Sequence, residues 1–205
     1  PMLCAMSGLP IPESTEIEVT PLRKISSRLG IAEFMRVKLG VIKDKVVAVP
    51  LPRGAGSITS MTKADGIITV PANQDGLLEN EPVKARLLVP MEDIRKTIMV
   101  TGSHDNLLDL LSDFMRGHYG DISISSSHVG SLGGLVALSK GECHVAGSHL
   151  LDAADGSYNE SYVKKFVNIP VQAYNLAWRE QGLIVAPGNP KNIKGIDDLT
   201  RADLE

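Results

Sequence analysis

The chain has 205 residues, a formal net charge of −3 and two cysteines. The mild acidity excludes a general nucleic-acid binder, which needs a basic surface to release counterions. No apolar run is long enough to span a bilayer, and the opening PMLCAMSGLPIPES has neither the basic region nor the apolar region of a secretory signal. Cys4 and Cys143 are too few for a disulfide framework or a zinc ribbon and read as structural or idle thiols. Together these features favour the cytoplasm, with neither nucleic acid nor membrane expected as a partner. A first residue of proline suggests a processed product or a fragment.

From the start to about residue 90 the pattern is that of β structure. In MRVKLG, Met35, Val37 and Leu39 face one way and Arg36 and Lys38 the other. VKARLL repeats the alternation with Val83, Ala85 and Leu87, and KVVAVPL and GIITV are short apolar runs bounded by turn residues. Several short strands with frequent turn signals predict a small barrel or sandwich. Pro50 and Pro52 mark an edge or a strand end, because proline donates nothing to a ladder.

The stretch VPMEDIRKT reads as a linker. Beyond it the rhythm changes. TIMVTG is a buried-type strand, and Leu107, Leu110, Leu111, Phe114 and Met115 form a helical stripe that Gly117 is placed to end. DISIS is a second strand, SLGGLVALSKG a second helix stopped by Gly141, and CHVAGS a third strand. NESYVKKF is a short helix, and VQAYNLAW and GLIVAP are predicted as two further strands. Alternating strands and helices indicate a parallel sheet.

In open α/β sheets, ligands sit at the carboxyl ends of strands. Three such ends carry hydroxyls: Gly102-Ser103-His104-Asp105, Ser127-His128-Val129-Gly130-Ser131 and Gly147-Ser148-His149. Glycine lets the backbone approach a ligand, helix N-termini offer free N–H groups, and a serine O–H donates to an oxyanion without adding charge. Ser103, His104, Gly130, Ser131 and Ser148 are therefore candidate oxyanion ligands. The same residue types are ordinary helix caps, and each junction alone is as well explained that way. The five histidines form neither a helical pair nor a zinc-protease motif, and no GxSxG elbow is present, so neither a metal nor a nucleophilic triad is assigned. In PRGAGSITSMTKADG, Arg53, Gly54, Gly56 and Ser57 suit phosphate or pterin contact, or a plain hairpin turn. Arg36 on its own reads as an outward, solvated side chain.

GIAEFMRVKLG, RGAGSITSMTKADGIITVP and ENEPVKARLL resemble the C-terminal β-barrel domain of the MoeA/gephyrin family, the molybdopterin molybdenumtransferases. TGSHDNLLDLL, SSSHVGSLGGLVALSKGECHVAGSHLLD and REQGLIVAPGNPKNIKGIDDL resemble the periplasmic-binding-protein-like domain fused to some MoeA-type proteins. The resemblance implies an α+β chain: an extension over 1–16, a barrel over 17–90, a linker over 91–96, and over 97–205 an α/β lobe of type II periplasmic-binding-protein kind, first lobe only. It implies that Arg36 and Ser57 border a molybdopterin cleft shared with a dimer mate. It also implies that Ser103 and Ser131 hold an oxyanion such as molybdate or tungstate. The transferase's catalytic domain is not among the matched motifs, so no catalytic residue is assigned, and a longer parent with segments at both ends is expected. The resulting expectation is an accessory, homodimeric part of a molybdenum-cofactor biosynthesis protein. An effector-binding module of a transcriptional regulator and a non-binding dimerisation scaffold stand as alternatives.

Overall fold

The computed structural model describes residues 2–10, 14–53, 59–120, 122–178 and 182–204. It divides into two compact units, 1–169 and 170–205. The first begins with a short exposed helix, α1 (Met2–Met6). Then follow β1 (Glu16–Pro21), β2 (Ile25–Ser26), β3 (Glu33–Ile42), β4 (Lys45–Pro50), α2 (Thr59–Lys63), β5 (Gly66–Val70), β6 (Gly76–Leu77) and β7 (Val83–Leu87). Strands β1, β4, β3, β5 and β7 close into a barrel in that order, while β2 and β6 form a small separate ladder. The fold is thus α+β, with the barrel that the alternating strands predict rather than a sandwich.

Alternation decides what fills the barrel. Met35, Val37 and Leu39 of β3 are buried with Val19, Ala48, Ile68, Val70 and Ala85, whereas Arg36 and Lys38 on the opposite face are half-buried. β3 and β4 turn through the two residues Lys43 and Asp44, Lys43 at a φ of 56°. Pro50 is the last residue of β4, where a missing N–H costs the ladder nothing. Closure rests on β1, which runs antiparallel to β7 and parallel to β4.

The barrel also has a polar seal. β5 begins opposite Val37, so the Leu39 N–H lies beyond its ladder. The Asp65 carboxylate takes that place, accepting from Leu39 N at 2.9 Å and from Lys38 Nζ at 2.7 Å. Its backbone joins the same corner: Asp65 N donates to Val37 O and Leu88 N donates to Asp65 O. A buried carboxylate held in this way is both charge-paired and hydrogen-bonded.

Residues 91–96, expected as a linker, are instead a packed element. Helix α3 (Met91–Arg95) places Ile94 in the barrel core with no exposed surface. The connection lies inside the first compact unit rather than between units.

After α3 come β8 (Thr97–Gly102), α4 (Asn106–Tyr119), β9 (Ser123–His128), α5 (Gly130–Lys140), β10 (Val145–Gly147) and α6 (Glu160–Phe166). The strands form a parallel sheet in the order β10, β8, β9. α4 is three residues longer than the Gly117 signal implies and ends at Gly120, whose φ of 67° suits glycine. Its inward positions are Leu108, with Ser112 and Met115 half-buried, and the leucine-rich stripe turns outward: Leu110 is 63% and Phe114 52% exposed. α5 ends at Gly141 in the left-handed conformation, as predicted.

Barrel and lobe are joined through β8. Met99 packs with Ile42, Val47 and Val49 of the barrel, and its side chain occupies the space a Cβ on Gly40 would need. His144, just before β10, bridges the same seam. Met99 N–H donates to His144 Nδ1 at 3.0 Å, so Nε2 carries the ring proton and donates to Val41 O at 2.9 Å. Replacing His144 with alanine removes both bonds and leaves the N–H of buried Met99 unmet. Stability is expected to fall by about 1–3 kcal/mol, visible as a lower urea midpoint at unchanged slope; an unchanged midpoint would show the bridge to be idle.

The second unit spans residues 170–205. The predicted strands in VQAYNLAW and GLIVAP do not form: their described residues are in no regular structure. No described residue provides these segments with a ladder, and Tyr174, Trp178 and Ile184 are exposed. An apolar run becomes a strand only where a neighbour takes up its N–H and C=O groups. Order in this unit comes from polar turns instead. Asn189 brackets Ile193 with two bonds of 2.9 Å, and the Asp198 carboxylate accepts from Lys194 N and Gly195 N to open a 3₁₀ turn over Ile196–Thr200.

Candidate functional site

The carboxyl end of the three-stranded sheet gathers most of the predicted ligands. β8 and β10 approach so closely at Gly102 and Gly147 that neither position has room for a side chain. A Cβ on Gly102, at a φ of 135°, would lie 2.3 Å from Gly147 O, and one on Gly147 would lie 2.7 Å from Ser103 O. Ser103 N donates to Gly147 O at 2.9 Å. α5 crosses above, with Gly134 against Gly102 Cα and the Thr101 carbonyl.

This crossing brings Ser131 to the end of β10. Its buried Oγ accepts from His149 N at 3.2 Å and lies 3.2 Å from His149 Nδ1. Ser103 and Ser131 thus meet on one short segment, 147–149: the first through Gly147, the second through His149. Ser103 is half-buried, and its hydroxyl has no hydrogen-bond partner among the described residues. Gly130, exposed at a φ of 78°, opens α5, whose N-cap residue Val129 supplies no side-chain bond to the first-turn N–H groups.

The other candidates at this end are placed differently. Ser148 is turned to an internal clamp: its Oγ donates to Asn159 Oδ1 at 2.8 Å, the same oxygen that accepts from Leu150 N. Its proton is therefore committed within the chain. His104 is exposed, its ring edge-on to that of His128 at 4.1 Å between centroids. Asp105 is a helix cap, accepting from Leu107 N at 2.8 Å. Cys143, two residues before β10, is buried; desolvation pushes its thiol up to about 11, so it stays protonated and unreactive near neutral pH.

A second hollow, of about 440 Å³, lies on the outer face of the barrel, lined by Glu33, Phe34, Arg36, Leu51 and Arg53 among others. Arg36 is half-buried there rather than freely solvated. Glu33 accepts from Ser27 Oγ at 2.6 Å and pairs with Arg53 at 3.4 Å. The Ser27 hydroxyl, with Arg53 and Arg28 behind it, holds the Glu33 carboxyl below its ordinary range. Phe34, 69% exposed, offers a free ring face. Two guanidiniums beside an aromatic face fit a flat, anionic heterocycle. Ser57 lies outside the described residues.

Residues 14–88 match the family model of the MoeA C-terminal region, domain IV, and residues 112–205 that of the PBP superfamily domain. The chain thus carries a segment similar to the MoeA C-terminal region, followed by one similar to the PBP superfamily domain. All five barrel strands fall within the MoeA match, whereas the PBP match begins inside α4, so β8 and Ser103 precede it. The YvgK protein of Bacillus subtilis (strain 168), itself uncharacterised, is 37% identical over 113 residues, covering 55% of this chain and 36% of its own. A molybdopterin biosynthesis MoeA protein from Pyrococcus horikoshii OT3 is 21% identical, covering 42% of this chain and 21% of that one, with a TM-score of 0.33. A molybdenum cofactor biosynthesis protein from Pyrococcus furiosus is likewise 21% identical, covering 42% and 29%, with a TM-score of 0.31. The chain therefore spans about a third of the curated relative and less than that of these solved chains. Among the described residues no helix is long and apolar enough to cross a membrane.

The sequence pointed to the serines but not to the seam. His144 and Asp65 lie within quoted motifs, yet nothing there shows their structural roles, which come from backbone groups distant in sequence: Val41 for the first, Leu39 for the second.

Proposed function

We propose that the chain is an accessory, ligand-binding part of a molybdenum-cofactor biosynthesis protein, and that its PBP-like domain binds a tetrahedral oxyanion, molybdate or tungstate, at Ser103 and Ser131. The observation that carries this reading is the meeting of the two serine turns on residues 147–149, at the carboxyl end of a parallel sheet fused to a MoeA C-terminal domain. Ser103 contributes a hydroxyl proton without a competing partner. The uncapped first turn of α5 adds N–H groups and a partial positive charge at Gly130 and Ser131. Ser131 releases its hydroxyl to the anion when the exposed His149 ring swings away. His104 stands at the rim as a further donor. Ser148, its proton held by Asn159, supports the turn instead of donating.

The barrel contributes a second surface to the same pathway. Arg36 and Arg53 would take the phosphate of molybdopterin and Phe34 the face of its pterin. In this reading the pterin supplies the dithiolene that receives the metal, and the barrel only positions it, at a cleft completed by a second copy in a homodimer. Chemistry on the pterin belongs to a catalytic domain elsewhere in a longer protein, and the setting is cytoplasmic.

Isothermal titration of the full chain against molybdate, tungstate, sulfate and phosphate tests the anion assignment. Molybdate and tungstate are expected to bind in preference to the smaller sulfate. Ser103→Ala and Ser131→Ala are each expected to weaken molybdate binding about tenfold or more, since each removes a hydrogen bond to a charged group. Equal heats for all four anions, or unchanged binding in both variants, would overturn the assignment.

A further inference from the structure

A further hollow is distinct from the serine turns and from the Arg36 face. It lies in the seam of the first compact unit, between the β3–β4 turn of the barrel and the last turn of α5, and has a volume of about 460 Å³. That size falls within the ordinary range of small-molecule sites, about 300–1,000 Å³. Its floor is apolar, made by Leu22, Ile42 and Val47. Lys43, Lys45 and Lys140 stand around it, with Asn80 and Glu142 on the remaining rim.

The lysines are not all accounted for by internal partners. Lys140 faces two carboxylates, Glu79 at 3.6 Å and Glu142 at 3.8 Å. Lys43 and Lys45 have no carboxylate at ion-pair distance among the described residues, and Asp44 between them does not line the hollow. Lys43 sits in a two-residue turn at a φ of 56°, a conformation that favours glycine or asparagine over lysine. Its ammonium is held beside Gly141, 3.1 Å from where a Cβ would be. The negative end of α5 attracts such a cation, yet that helix end is already closed by its own backbone: Gly141 N donates to Leu138 O and Glu142 N to Ala137 O. Two ammonium groups therefore border an apolar floor with charge to spare.

We propose that this seam hollow binds a ring-bearing phosphomonoester of nucleoside-monophosphate size, its phosphate on Lys43 and Lys45 and its ring on the floor of Leu22, Ile42 and Val47. A phosphate dianion balances two ammoniums, which act on it as point charges. The floor excludes water from one ring face, and the Asn80 amide with the Glu142 carboxyl meets the polar edge of the ring. The site shares no residue with the serine turns or with the Arg36 face, so it stands or falls apart from the anion reading above.

The test uses the full chain and three probes: AMP, glucose 6-phosphate and inorganic phosphate, each titrated calorimetrically at low and at physiological salt. AMP is expected to bind, more tightly than glucose 6-phosphate and well above inorganic phosphate, and to weaken as salt rises. The double variant Lys43→Ala/Lys45→Ala, both exposed positions and safe for folding, is expected to lose about tenfold or more in AMP affinity, with an unchanged circular dichroism spectrum. Ser131→Ala is expected to leave AMP binding intact. AMP affinity unchanged in the lysine variant, or no AMP binding in the unaltered chain, overturns the proposal. Inorganic phosphate binding as tightly as AMP overturns the ring assignment, and loss of AMP in Ser131→Ala places the ligand elsewhere.

Discussion

Replacing Gly102 with alanine is expected to destabilise the α/β part of the first unit by about 3–5 kcal/mol, the combined cost of a strained φ and an overpacked contact. The added methyl has no escape: it would lie 2.3 Å from the carbonyl oxygen and 2.9 Å from the nitrogen of Gly147, and both are backbone. β8 and β10 would have to part at the point where Ser103 N donates to Gly147 O, and the support for α5 at Gly134 would shift with them. Hydrogen exchange checks this by region. Amides of β8, β10 and α5 should lose protection while those of the barrel keep theirs, because the barrel has its own core. Unchanged protection at β10 would mean that the two strands are less closely apposed than described.

The second large effect is expected in the barrel. Asp65→Ala removes a buried carboxylate that serves both Lys38 and the Leu39 N–H. Loss of one partner of a buried pair costs about 3–5 kcal/mol, and the lower end applies because Lys38 keeps some contact with water. Asp65→Asn retains an acceptor for Leu39 N–H but not the charge, and is expected to recover about half the loss. The single tryptophan, Trp178, lies in the second unit and not in the barrel. Far-ultraviolet circular dichroism in urea is the appropriate measurement. Equal stability for Asp65→Ala and the unaltered chain would show that the corner is held by its backbone bonds alone.

Much of the fold was legible because burial imposes a period. The inward set of β3 and β7 followed from alternation, and the αL stop at Gly141 from its chemistry. The α4 stripe misled for a physical reason. Periodicity locates an apolar face but not what lies opposite, and this helix turns Leu108 inward and most of its leucines outward. The two strands expected after residue 170 failed on the same ground, since apolar composition supplies no ladder partner. Of the candidate site, the serine turns were visible as hydroxyls at strand ends, but their meeting on residues 147–149 depends on the crossing of α5 and on two glycine contacts. Ser148 looked identical to the other serines in sequence; only the fold turns its proton toward Asn159. The seam between barrel and lobe was not legible, because TIMVTG and KVVAVPL each read as a strand but nothing in either says that Met99 packs on Val47 and Val49.

The parallel pairing of β1 with β4, and its antiparallel pairing with β7, bear on how the molecule assembles. β1 is the first barrel strand made, yet Glu16 finds its partner only at Arg86, in the last strand β7. A nascent chain must therefore keep residues 16–19 of β1 unpaired until nearly the whole barrel has emerged, although Thr20 and Pro21 can pair with β4 earlier. Bringing such distant ends together is slow, on the order of milliseconds to seconds. During that interval the exposed edge is open to a neighbouring copy on the same message. Yield of soluble protein should accordingly depend on the spacing of ribosomes as well as on the final stability of the closed barrel.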